Sequence, residues 1–370
     1  MENSHQKARE YQKIKNRLLF VHLFGTPLFL LIAMLTPVSA FFRDGALVLT
    51  DNPYLGFVCY FFFFSLYMLV FDFPFSYYSS YAVEHQFQLS NQTWRAWLVE
   101  WFKKALLSFG LSCALLLGLY ALIWNFPRTW WLLAWVAYAF VSYVLGKIFP
   151  VVIVPLFYRY GKVEDDALKK RVVSLCERFR LPVENVFSIN LSKTTKKANA
   201  AFMGLGKTKR VVLSDTLLDN FNHDEIDVVV AHELAHYRHH DIWKQFAIGV
   251  VTSLVAFWIT FMMLGPLAIR LNFEGAADMA SMPLLFLIFY LFHLILMPIQ
   301  NGYSRHIERA ADRFALEALQ GPAFFISCME KLGDMNLADP NPNPIMEWLF
   351  FDHPPLGKRI EMAKQWTGEK

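Results

Sequence analysis

Residues 222–248 read NHDEIDVVVAHELAHYRHHDIWKQFAI, and this one stretch joins a polar motif to an apolar run. Asn222 followed by Glu225 has the capping-box spacing of a helix N-terminus. No proline or glycine interrupts 224–248, so the spacing predicts one helix running straight through His232-Glu233-Leu234-Ala235-His236 into the apolar run at Ile242. At 1.5 Å per residue, His236 lies about 9 Å from the start of that run.

The surrounding chain supports the same contrast. Of 370 residues, 55% are hydrophobic and 18% charged, with 36 Phe; the mean hydropathy is +0.31. A typical soluble protein has about 45–50% apolar and about 25% charged residues. This composition excludes a disordered chain, a small disulfide scaffold and an ordinary cytosolic enzyme. A net charge of +4 without a basic, aromatic-interleaved stripe gives no footprint for nucleic acid. Cys59, Cys113, Cys176 and Cys328 are scattered and read as small buried hydrophobes.

Six stretches are long and apolar enough to cross a bilayer: 18–42, 54–78, 105–124, 130–155, 242–264 and 281–298. The first is too long for the apolar core of a cleavable signal peptide. Lys7, Arg9, Lys13, Lys15 and Arg17 precede the first span, and Arg95, Lys103 and Lys104 lie between the second and third. The alternate loops hold only Arg43, Arg128 and Arg270. This asymmetry predicts that both termini, the loop 80–104 and the segment 157–241 are cytoplasmic. Asp72, Lys147 and His293 fall inside apolar stretches, where ionisable groups usually face a bundle interior or cavity. Trp130 and Trp131 read as an interface anchor, and 61–64 as lipid-facing bulk.

The chain thus divides into a four-span region 1–156, a water-facing segment 157–241, two further spans within 242–300, and a C-terminal segment 301–370. The segment 157–241 reads as α plus β. A helix is expected over 164–179, stopping before Leu181-Pro182, and short strands over 186–191, 198–203 and 210–213, with Gly204 and Gly206 turning between the last two.

The motif H-E-x-x-H sets two imidazoles one turn apart on one helix face, where both reach a single metal ion. Glu233 lies beside them, placed to take a proton from water activated by that metal. A chance occurrence in a chain of this composition has a probability on the order of 1–2%. Zinc of this kind needs a third protein ligand and an open position. Glu308 is the best candidate, with His306 its rival; both follow the sixth span and return to the side that carries His232. Asp312, one turn beyond Glu308, is placed to orient a ligand histidine.

With these residues the chain resembles the type I CAAX prenyl proteases, integral-membrane zinc metallopeptidases. Further resemblance lies in Glu84-His85-Gln86-Phe87-Gln88-Leu89-Ser90-Asn91-Gln92-Thr93, in 149–157 with Pro150 and Pro155, in Asn199-Ala200-Ala201-Phe202-Met203-Gly204, and in Phe351-Asp352-His353-Pro354-Pro355 with Arg359-Ile360. The resemblance implies a polytopic α-helical membrane protein of about six transmembrane helices with a small α+β zincin-like catalytic domain. It implies one zinc ion held by His232, His236 and Glu308, with Glu233 as base and Asp312 supporting a ligand. Asn199 and His353 match positions that meet the substrate or the developing oxyanion, and Arg359 ties the C-terminal helix to the site. It also implies a chamber walled by the spans. Gln88 stands where the family usually has glycine, and Ala201 replaces an aromatic residue common in the eukaryotic enzymes, which have seven spans.

The expectation is therefore a zinc endopeptidase acting at the cytoplasmic membrane face on peptide or protein substrates, prenylated C-a-a-X proteins in the family's activity, in contact with membrane lipid. The membrane would be the plasma membrane in a bacterium and the ER membrane in a eukaryote. A broader quality-control protease is the alternative within the same chemistry. A non-catalytic metal-binding membrane protein or transporter is the alternative outside it; structural zinc sites usually have four ligands with cysteine prominent.

Overall fold

A computed structural model describes residues 2–180, 186–203 and 210–367. Among these, six helices are long and apolar enough to cross a membrane. The N-terminal part contains α1 (Glu2–Leu35), α2 (Val38–Leu49), α3 (Pro53–Tyr77), α4 (Trp94–Asn125) and α5 (Trp130–Ile148). The first apolar run is split, contrary to the single span expected over 18–42. Pro37 lacks an N–H and disfavours helical backbone at Thr36, so α1 ends at Leu35 and α2 starts separately. Beyond Tyr77 and Ile148 the helices widen into single π-helical turns, Tyr78–Ala82 and Phe149–Ile153, each followed by one α turn. Pro150, at the start of the second π turn, supplies no N–H to the ladder.

The water-facing part begins with β1 (Tyr160–Lys162), α6 (Asp166–Arg178), β2 (Val186–Ile189), β3 (Ala200–Met203), β4 (Arg210–Ser214) and α7 (Asp215–Asn220). The described strands form one sheet in the order β1-β2-β4-β3. β2 and β4 are parallel, and the outer pairings are antiparallel. β1 was not anticipated; three residues with one apolar side chain give no period to read. The expected stop at Leu181-Pro182 and the turn at Gly204 and Gly206 lie outside the described residues. α8 (His223–Arg238), α9 (Asp241–Arg270), α10 (Met282–Leu319), α11 (Ala323–Asn336), α12 (Pro344–Phe350) and α13 (Leu356–Lys364) complete the chain.

The predicted continuous helix through 224–248 is broken. His240 takes a left-handed conformation, φ 58°, and separates α8 from α9. α8 packs under the sheet and on α10, burying Ile226, Val230 and Leu234 in the catalytic core, whereas α9 enters the bilayer. In the membrane part, Phe57, Tyr60, Tyr120, Leu264 and Leu285 form the centre of a second core. The 61–64 run is shared between environments: Phe61 and Phe64 are buried and Phe62 is exposed. Trp130 also turns inward, against Phe261, rather than standing at the lipid boundary. Asp72 lines a cavity of about 480 Å³ between α3 and α4, whereas His293 is exposed on the outside of α10.

The membrane part grips the catalytic part just ahead of β3. Ser90 forms an antiparallel bridge with Thr195, Lys196 N–H donates to Leu89 C=O at 2.8 Å, and Asn91 N–H to Thr194 C=O at 3.2 Å. Lys197 pairs with Glu84 at 3.0 Å and donates to Tyr11 Oη at 2.9 Å, while Tyr11 donates to Glu84 at 2.6 Å.

The turn that presents this docking loop explains why glycine suits position 88. Gln88 N–H donates to His85 C=O at 2.9 Å and Leu89 N–H to Glu84 C=O at 2.8 Å, the paired bonds of a Schellman helix end. The motif requires left-handed backbone, and Gln88 has φ 62°. A side chain there costs about 1 kcal/mol that glycine avoids. Gln88→Gly is expected to stabilise the protein by about 0.5–1 kcal/mol, read as a raised unfolding midpoint in detergent; an unchanged or lowered midpoint would contradict the assignment of strain.

Candidate active site

Asn222 caps α8 through its side chain at 2.9 Å from Glu225 N–H, and Glu225 returns a bond to Asn222 N–H at 3.0 Å. Glu225 is buried and also accepts from Ser327 and from Lys331 Nζ at 2.7 Å, so the start of α8 is tied to α11. The apolar residues of α8 then bury one face and turn His232 and His236 toward α10. Glu308 and Asp312 meet them from α10, one turn apart.

His232 Nε2 lies 3.1 Å from Glu308 Oε2, and His236 Nε2 lies 3.4 Å from Glu308 Oε1. The two Nε2 atoms are 3.3 Å apart. One ligand atom from each of the three residues falls within 4.8 Å of the others. His306 is exposed and stands outside this group.

The outer nitrogens explain the inner ones. His232 Nδ1 lies 2.9 Å from Asp312 Oδ1, and Asp312 is held on its far side by Arg359, whose Nε donates at 2.8 Å. A carboxylate accepts only, so in neutral His232 the proton sits on Nδ1 and the Nε2 lone pair faces inward. His236 Nδ1 lies 3.3 Å from Asp241 Oδ2, which gives the same polarity. Glu308 Oε2 is buried and faces the Nε2 of His232. Converging lone pairs around a buried carboxylate repel one another unless a cation lies between them, so the donor set fits a divalent metal with N and O ligands. Burial disfavours protonation of His232, but the hydrogen bonds that its ring donates to Asp312 and Glu308 outweigh it and push its pKa up to about 9 when no cation is bound. A cation binding there displaces a proton, and affinity rises with pH until that pKa is passed.

Glu233 sits beside the histidines and accepts from Phe202 N–H at 3.2 Å. Ser214 N–H donates to Asn199 C=O at 3.0 Å, so the odd-numbered residues of this segment face β4. The alternation of an antiparallel ladder turns Ala200 and Phe202 to the open edge. A cavity of about 350 Å³ opens there, lined by Asn199, Ala200, His232, Glu233, His353 and Arg359 among others. Gln12 of α1 also lines it. His353 Nε2 approaches Glu308 Oε1 at 3.4 Å, and its Nδ1 lies 2.9 Å from Asp352 Oδ1. Of the eight residues singled out in the sequence, Asn199, His232, Glu233, His353 and Arg359 line this cavity, and His236, Glu308 and Asp312 adjoin it through their contacts with His232.

Two neighbours escaped the sequence reading. On an unbroken helix Asp241 would point about 140° away from His236; the turn at His240 brings it back. Asn336, at the end of α11, brackets Ala198 on both sides. Its Oδ1 accepts from Ala198 N–H at 3.1 Å and its Nδ2 donates to Ala198 C=O at 3.3 Å, fixing the backbone two residues before β3. No local pattern marks Asn336, because its partner is distant in sequence.

Comparisons with known proteins agree with this architecture. Residues 162–367 match the model for peptidase family M48, and residues 1–159 match the model described as CAAX prenyl protease N-terminal, five membrane helices. The Bacillus subtilis protein described as an uncharacterized metalloprotease, YhfN, is 28% identical over 366 residues, covering 97% of this chain and 85% of its own. CAAX prenyl protease 1 of Saccharomyces cerevisiae is 29% identical over 322 residues, covering 81% of this chain and 70% of its own. The crystal structure of S. mikatae Ste24p shares the fold, with a TM-score of 0.85 at 24% identity, covering 99% of this chain and 90% of that one.

Two substitutions test the unforeseen neighbours. Asp241→Asn is expected to weaken zinc binding by about 10- to 100-fold, read by competition with a chromogenic chelator; unchanged affinity would remove Asp241 from the site. Asn336→Ala is expected to lower kcat/KM about tenfold, mainly through KM, with zinc content unchanged. A loss confined to zinc content would instead assign Asn336 to the metal centre.

Proposed function

The chain belongs to peptidase family M48, and from that membership we propose that it cleaves proteins presented at the cytoplasmic membrane face, with one zinc ion held by His232, His236 and Glu308. It is a membrane metalloendopeptidase resembling the CAAX-processing enzymes. The observation that carries the residue assignment is the convergence of two imidazole Nε2 atoms on one buried carboxylate beside Glu233 and an open strand edge.

A bound zinc ion supplies Lewis acidity, lowering the pKa of water and polarising a carbonyl. The protein groups do the rest. Glu233 takes the proton of the attacking water and returns it to the leaving amine. The open edge of β3 receives the substrate as an added strand, with Ala200 and the Phe202 carbonyl as backbone partners. His353, at the mouth of the cleft, donates to the oxyanion; hydrogen bonding to Asp352 outweighs its burial and raises its pKa above the usual histidine value, which favours the protonated donor. Asn199 borders the substrate. Arg359 and Asp312 hold His232 in the tautomer that the metal requires.

We assign as substrate a prenylated C-a-a-X protein, cut to remove its last three residues. The support is the joint match of both chain halves to the models that make up such enzymes, together with a cleft beside the membrane helices. The basic residues before α1 and between α3 and α4 support a cytoplasmic placement of the cleft.

The test is cleavage of one C-a-a-X peptide, farnesylated and unmodified, by the purified protein. Cleavage of only the farnesylated form is expected, and equal cleavage would make the lipid incidental and favour a broader protease. Glu233→Gln is expected to lose about 100- to 10,000-fold in kcat while still binding zinc. A chelator should abolish activity and zinc restore it; activity surviving Glu233→Gln would overturn the mechanism.

A further inference from the structure

The short helix α12 carries an apolar face that its own chain leaves open. Ile345 and Trp348, three residues apart and on one side, are 64% and 60% exposed. Met346 and Glu347, on the other side, are buried against the protein. The helix is held from the opposite direction by polar groups of α10. Arg305, itself buried, donates to the carbonyls of Glu347 at 2.8 Å and Trp348 at 3.3 Å and also to that of Phe351. Asn301 Nδ2 donates to the Leu349 carbonyl at 2.7 Å.

Its depth follows from its neighbours. Asn301 and Arg305 lie about 5 and 10 Å beyond Pro298, where the apolar run of α10 ends. Phe350 meets Phe20 edge to face at 5.9 Å, and Phe20 stands where the apolar run of α1 begins. Val21 and Phe24 are also exposed on α1, a helix of spanning length, with the exposed His22 between them in sequence. Asn301 and Phe20 put the C-terminal end of α12 in the polar headgroup layer, which adds about 5–7 Å to each side of the hydrocarbon, and Arg305 holds the middle of the helix at the outer boundary of that layer. Tryptophan is enriched at that depth because its ring is apolar and its N–H polar.

We propose that α12 is a bilayer-surface anchor, with Ile345 and Trp348 seated among phospholipid headgroups. The anchor is continuous with the cleft. Phe351, Asp352 and His353 follow within five residues of Trp348 and line the cavity beside Glu233. Lipid on one side and Arg305 on the other fix the height of this cleft edge above the hydrocarbon. The enzyme then selects bonds close to the membrane surface in a chain tethered there. The placement of α12 rests only on the chain being embedded in a bilayer; the effect on selection rests also on the peptidase reading.

Two measurements separate these parts. In a Cys59→Ala background, where the remaining native cysteines are buried, Trp348→Cys and Lys364→Cys are labelled with NBD in phosphatidylcholine nanodiscs holding one protein each. The label at 348 is expected to be quenched by lipid carrying a nitroxide at acyl position 5 and shielded from iodide, and the label at 364 to show the reverse. Equal iodide quenching at both sites would overturn the anchor. So would shielding at 348 that develops only in discs with two proteins, which would assign the patch to a second copy. For selection, the Ile345→Glu/Trp348→Glu protein is compared with wild type at matched zinc content and Tm. Its kcat/KM is expected to fall about tenfold on a vesicle-anchored substrate and to stay within about twofold on a soluble peptide in detergent. Equal losses on both substrates would overturn the link to selection while leaving the fluorescence result to decide the anchor.

Discussion

The buried carboxylate of Asp312 is the contact on which the site depends. It comes from α10, receives His232 of α8 at 2.9 Å and is bracketed by Arg359 of α13. Three segments separated in sequence are thereby locked by one charged group whose side chain is fully buried. Burying that charge alone would be costly, so the arrangement holds only as a complete chain of partners. Its consequence is chemical as well as structural. In its neutral form, with the Nδ1 proton committed outward, His232 directs a lone pair toward His236 and Glu308. The orientation of a first ligand is therefore set by the C-terminal helix, even though the motif itself is complete within five residues.

The same logic extends to the substrate edge. Among the described residues β3 pairs with β4 on one side only, so its other edge can receive a strand. Such an edge is useful only if its height and register relative to the histidines are fixed. Asn336 fixes Ala198, the loop 89–91 fixes 194–196, and Lys197 is tied to Glu84 and Tyr11. Two of these three ties come from the membrane part. The catalytic segment is thus not a soluble domain attached to an anchor; its substrate edge is positioned by helices that cross the bilayer.

What the sequence disclosed was whatever is encoded locally. The apolar runs of α3, α4 and α10 are read from composition, and H-E-x-x-H from a spacing that one helical turn makes meaningful. The capping box at Asn222 and the helix at Asp166–Arg178 were equally legible. The misreadings share a different cause. Nothing in Tyr237-Arg238-His239-His240 is a breaker by propensity, yet α8 must leave the sheet and α9 must enter the bilayer, and packing imposed a left-handed residue. Asp241 was missed for that reason alone. At Pro37 the local signal was present but was outweighed by the length of the apolar run. β1, Asn336 and the inward turn of Trp130 are tertiary facts with no local signature.

Gln88 shows how a departure from a family pattern acquires physical content. As a letter, glutamine in place of glycine is only a difference. In the structure it occupies the left-handed position that closes the short helix after Glu84, in a loop that docks beside the substrate edge. The two backbone bonds of that helix end and the burial of Val83 and Leu89 in one apolar cluster hold the conformation against the side chain's preference. The loop therefore keeps its shape for a reason outside residue 88 itself: it has to deliver Glu84 to Lys197 and Leu89 to Lys196 simultaneously. A strained residue tolerated at a joint between membrane and catalytic parts is what a fold accepts when relative placement matters more than local comfort.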